Sequence, residues 1–183
     1  MNGNDNFDSI RTPIGRYFAG LTESTFQSQL GVVDPPLIDY LTLLLLHSIR
    51  SDVMHRIRSV TGKPLMSVPE MVAEASARLG DAKRDLHRHI GDFTLFWAGV
   101  YPESLRSSES TTSDQFDSYC SYGKRSYRIA SSIQAPEDEI PSAEVLERLS
   151  ERYDLCCYGL REVRRQWEAG DDESFGPGSI LLN

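Results

Sequence analysis

DAKRDLHRHIGDFTLFWAGV, residues 81–100, is the stretch whose reading decides the fold. Ala82, Leu86, Ile90, Phe93, Trp97 and Val100 recur at steps of four and three, which marks one face of an α-helix. Pro102 ends the pattern. Gly91 and Gly99 stand inside it, although a glycine within a helix costs about 1 kcal/mol against alanine. Two readings account for them. Gly91, Leu95 and Gly99 share a face turned away from Phe93 and Trp97, so the glycines can be notches where another helix crosses closely. Alternatively Gly91 ends one helix and Asp92 caps a new one, giving a kink. The following segment carries a matching Tyr119-x3-Gly123-x3-Tyr127, and counting outward from the intervening loop sets Gly91 near Gly123 in an antiparallel pair.

The rest of the chain reads as helix as well. Pro13 to Gly31 carries Tyr17, Phe18, Leu21, Phe26 and Leu30. In VDPPLIDYLTLLLLHSIRS, Asp34 is an N-cap and Pro35 sits at the first helical position. Its apolar residues run nearly all the way round, which predicts a helix at the centre of the domain. SVPEMVAEASARLG opens with a Ser67/Glu70 capping box and stops at Gly80. A Ser/Thr loop (107–113) precedes SDQFDSYCSYGKRSYRIASSI, and QAPEDEIP is an acidic linker. From Ser142 to about Glu168 a final helix shows the seam Leu149, Tyr153, Cys156, Leu160, Val163 and Trp167. There is no strand alternation and no repeat. The expectation is an all-α, single-domain bundle of about six helices over residues 13–169, with a central Leu-rich helix and flexible termini at 1–12 and 170–183.

Composition narrows the function classes. A net charge of −8, from 27 acids and 19 bases, repels a phosphate backbone, so nucleic acid is not an expected partner. Arg50, Arg56, Arg58 and Lys63 cluster with only Asp52 opposing, and read as a solvated helix end and loop. The three cysteines imply no disulfide framework and suit a reducing compartment. MNGNDNFDSI lacks the basic and apolar regions of a signal peptide. LTLLLLHSI has about half of the roughly 20 residues that a bilayer demands. A soluble, cytoplasmic protein is expected, without membrane association.

Candidate sites are few. Asp85, His89 and Asp92 fall on one flank of the helix and could donate three metal ligands. They lack the Glu-x-x-His pairs of di-iron bundles, and the plainer reading is a histidine held by one carboxylate. Asp52 and His55 echo the same idea. His87 lies opposite the apolar stripe, where water would reach it. His47, at the end of the Leu run, is either a buried neutral imidazole or a haem ligand. Cys156 lies on the seam as a small core residue and Cys157 one step off it, with no histidine beside either to activate a thiolate. Tyr17, Tyr101, Tyr119, Tyr122 and Tyr127 suit core stripes and could also line a pocket. With no complete catalytic constellation and no cofactor expected, the favoured reading is a non-catalytic interaction or regulatory module, acting through a protein partner or self-association. The alternative is a helical domain that binds a small apolar ligand or haem in an aromatic-lined pocket of His47, Trp97, Tyr119 and Tyr127.

Gly91-Asp92, Leu95-Phe96, Gly99, Pro102 and Ser104-Leu105 form a spaced pattern, followed by the Tyr-rich FDSYCSYGKRSYRIA and preceded by IDYLTLLLLHSI. Over roughly residues 15–165 the chain resembles an uncharacterised all-helical bacterial protein family. The resemblance implies a helical fold. No activity is attached to that family, so it carries over no functional residue.

Overall fold

Helix starts follow the sequence closely. Leu37 N–H donates to Asp34 Oδ1 (3.3 Å). Ser67 and Glu70 close their capping box, Glu70 N–H to Ser67 Oγ at 3.4 Å and Ser67 N–H to Glu70 Oε2 at 3.2 Å. The computed structural model describes residues 9–49, 67–105, 114–136 and 140–174. Among them are seven α-helices and no strand: α1 (Pro13–Glu23), α2 (Pro35–Ile49), α3 (Val68–Ala77), α4 (Gly80–Val100), α5 (Asp114–Ser131), α6 (Ala143–Glu151) and α7 (Tyr153–Ser174). A π-helical stretch, Ser24–Gln29, extends α1, and a 3-10 turn, Pro102–Leu105, follows α4. The fold is all-α, and no helix among the described residues is long and apolar enough to cross a membrane.

The Leu-rich helix is buried as its pattern requires. Leu37, Ile38, Tyr40, Leu41 and Leu43–Leu46 all lie in the interior, where each buried leucine contributes about 1.5–3 kcal/mol. Among the described residues α4 and α5 share the most extensive packing, and α3, α7 and the 3-10 turn also rest on α4. Two apolar clusters result among the described residues. The larger joins α1, α2 and α4–α7. The smaller, Val68, Met71, Ala75, Leu86 and Ile90, glues α3 to α4.

α4 runs unbroken for 21 residues through Gly91 and Gly99, so there is no helix end at Gly91. Both glycines are notches: at Gly99 α7 crosses closely, since a Cβ there would stand 3.0 Å from Leu160 Cβ and 3.3 Å from Cys157 Cα, whereas at Gly91 a ring fills the notch. A Cβ on Gly91 would stand 2.6–2.7 Å from the ring of Tyr127 on α5. A Cβ on Gly123 of α5 would collide with the ring of Tyr153 on α7, and one on Gly159 of α7 with Phe26. Gly91, Gly123 and Gly159 each seat an aromatic ring from a neighbouring element. Gly91 therefore meets Tyr127 rather than Gly123.

Four further expectations change. The final helix divides at Arg152 (φ −104°, ψ 22°), although backbone bonds from Arg152 N–H to Arg148 O (2.8 Å) and Cys156 N–H to Arg152 O (2.9 Å) bridge the step. α7 continues to Ser174, past the expected helix end, and Ser9–Arg11 are helical before Thr12 caps α1 by accepting from Gly15 N–H (3.0 Å). The π-helical winding at Ser24–Gln29 turns Thr25 and Phe26 both inward, Phe26 onto Gly159 and Thr25 Oγ1 to accept from Gln166 Nε2 (3.0 Å). His87 is 3% exposed rather than solvated, because it lies where α3 and α5 flank α4. The Arg50–Lys63 cluster, Asp52 and His55, the Ser/Thr loop and the last nine residues lie outside the described residues.

Candidate functional site

Polar side chains from three helices converge on Asp92. α4 carries it one residue after Gly91, and the missing side chain there lets the Tyr127 ring lie against the helix with its hydroxyl at the carboxylate. Tyr127 Oη donates to Asp92 Oδ1 at 2.8 Å. Tyr40 Oη, from the middle of the Leu-rich helix, donates to the same oxygen at 2.6 Å. Burial first, and then the negative charge of Asp92, hold both phenols well above their ordinary pKa, so they remain donors at physiological pH. Arg88 stands one turn before Asp92. Burial alone would lower its pKa, but Tyr40, Asp92 and Asp85 outweigh this and keep the guanidinium charged. Below the cluster, Tyr153 Oη donates to Thr94 Oγ1 (3.0 Å), and Thr94 Oγ1 donates back to Ile90 O (2.8 Å).

Beside this cluster lies a cavity of about 40 Å³, bounded by Tyr40, His47, Arg88, Asp92 and Ile140. That space is the size of a few waters, whereas sites for organic ligands occupy roughly 300–1,000 Å³.

The structure divides the expected ligand residues into two pairs. His47 borders the small cavity and Tyr127 lies on the carboxylate. Trp97 and Tyr119 belong to an aromatic array centred on Phe93, with ring centroids at 6.3 and 6.2 Å. The array continues through Phe96 to Tyr101, over which the Arg164 guanidinium lies 4.4 Å from the ring centre. The metal candidates do not converge either. Asp85 pairs with Arg88 (3.4 Å), while Asp92 takes the two phenols. His89 is half-buried, and burial lowers its pKa while Asp92 pulls the other way. Among the described residues no group of three His, Cys, Asp or Glu side chains is arranged to hold a metal ion.

Sequence reasoning missed Tyr40 and Arg88. The signal was there for Tyr40: a phenol inside a run of leucines must find a partner for its hydroxyl. All three cysteines are buried free thiols. Burial pushes the Cys156 pKa up to about 12. Cys120 and Cys157 hydrogen-bond to each other across α5 and α7, which together with burial raises Cys157.

Comparisons with known protein families, with curated proteins and with solved structures give no match for this chain.

Proposed function

We propose that this chain is a non-catalytic interaction or regulatory module that acts through a protein partner or a second copy of itself. One observation carries the reading. At Asp92, where carboxylate, phenols and guanidinium converge, both phenols are bonded to the carboxylate beside a space of about 40 Å³. Such a cluster ties α2, α4 and α5 together and leaves no room for an organic substrate. A reducing, cytoplasmic setting goes with this reading, since the three thiols are free.

Native mass spectrometry of the freshly purified chain, together with its visible absorption spectrum, tests the proposal. The expected species are the chain alone, integer multiples of it, or the chain with a second polypeptide. A stoichiometric apolar small molecule, or a Soret band from haem, would overturn it in favour of an aromatic-lined pocket.

A further inference from the structure

A second concave site lies on the other side of α4, in the groove it forms with α3 and α5. It encloses about 170 Å³. Lys83 and His87 reach it from α4, and Arg125 and Tyr122 from α5, while α3 supplies only Val72 and Ser76. Among the described residues no carboxylate lines it, in a chain with 27 acids against 19 bases. Several cations elsewhere are neutralised: Arg88 pairs with Asp85, Lys124 with Asp154, Arg148 with Asp34 and Arg164 with Glu168. Lys83 and Arg125 have no such partner among the described residues.

His87 supplies an independent observation. It is 3% exposed, and its Nδ1 is buried with no hydrogen-bond partner. Buried polar atoms are ordinarily satisfied, so an orphaned nitrogen between two cations calls for an explanation. A bound anion provides one.

We propose that this groove binds a phosphate-type oxyanion, as inorganic phosphate or as the phosphate of a small monoester, through Lys83, His87 and Arg125. The volume is below the roughly 300–1,000 Å³ of drug-sized pockets, which suits a compact anion. Val72, Tyr122 and Ile129 give the lining an apolar part that can accept an ester group. Burial and then the charges of Lys83 and Arg125 lower the pKa of His87, which favours its neutral form. A dianion reverses that balance and favours the imidazolium, so binding takes up a proton. The charged groups facing His87 are Lys83 from its own helix and Arg125 from α5, and α3 contributes none. The inference goes beyond the interaction module and does not depend on the identity of a protein partner.

Calorimetric titration of the full chain in a zwitterionic buffer, with inorganic phosphate in one arm and phenyl phosphate in the other, is the test. Saturable binding is expected in at least one arm. Lys83→Gln and Arg125→Gln should each weaken it about ten- to hundredfold, the usual effect of losing one charge-assisted contact. Arg165→Gln, which removes an exposed cation elsewhere on α7, should leave it unchanged. In the phenyl phosphate arm, where the ester stays largely dianionic above its second pKa of about 6, affinity should rise between pH about 7.5 and 6.5, and His87→Asn should remove that rise. Tighter binding of phenyl phosphate assigns the apolar part of the lining to the ester, and equal binding makes the bare oxyanion the ligand. Absence of saturation in both arms overturns the proposal, as does a loss as large in Arg165→Gln as in the groove variants.

Discussion

At the scale of single residues, two glycines inside helices should respond in opposite ways to the same methyl group. Gly20 is exposed on α1 with open space where a Cβ would go. Gly20→Ala should therefore raise the denaturation midpoint, by up to about 1 kcal/mol of helix propensity. Gly123 has the Tyr153 ring against it, and that ring is fully buried with its hydroxyl bonded to Thr94. It has nowhere to swing. Gly123→Ala should lower the midpoint by about 1–3 kcal/mol with helicity retained, because overpacking outweighs propensity. Chemical denaturation followed by circular dichroism reads both, and a raised midpoint for Gly123→Ala would show that the ring can move aside. Gly91 and Gly123, inside strong helical patterns, each announced a close neighbour. Neither could announce which neighbour, because the occupant depends on the relative register of α4, α5 and α7, which no single segment encodes.

At the scale of elements, legibility followed the strength of the local signal. α2 and α3 begin where their caps stand, because a capping side chain acts within three residues. The step at Arg152 was invisible, since the four-and-three spacing of Leu149, Tyr153 and Cys156 continues across it and all three side chains remain buried. The π-helical stretch was equally hidden. Its winding answers to Gly159 and Gln166, far along the chain, and not to its own composition. The Asp92 cluster was half legible: Asp92 and Tyr127 stood out on their own helices, while Tyr40 was absorbed into an apolar pattern. The seam of α7 yields a prediction of its own. Cys156 is 1% exposed and its thiol is pushed up to about 12, so almost no thiolate exists at neutral pH. A thiol reagent should leave Cys156 unmodified in the native chain and label it once denaturant is added. Peptide mapping distinguishes it from Cys120 and Cys157.

For the molecule as a whole, two imidazoles set a stability that depends on pH. Burial, followed by Lys83 and Arg125, lowers the pKa of His87 below its unfolded value of 6.5. Burial also lowers that of His89, with Asp92 opposing. The unfolded chain then takes up protons before the folded one does. Stability is full above the unfolded value and falls as the pH drops through it toward the folded values. Thermal melts between pH about 7.5 and 5.5 should show a falling midpoint, and His87→Asn should flatten the dependence. A midpoint that holds level or rises on acidification would contradict the burial of both imidazoles. Beyond titration, the ring-in-notch contacts form a succession: Phe26 sits on Gly159, Tyr153 on Gly123, and Tyr127 on Gly91. Each helix in the middle of that succession both lends a ring and receives one. The consequence is genealogical. A glycine cannot drift to a larger residue unless its ring shrinks in step, so the six positions descend as three linked pairs. In a lineage whose other residues have diverged past recognition, those paired exchanges are the trace by which a distant cousin of this chain can still be identified.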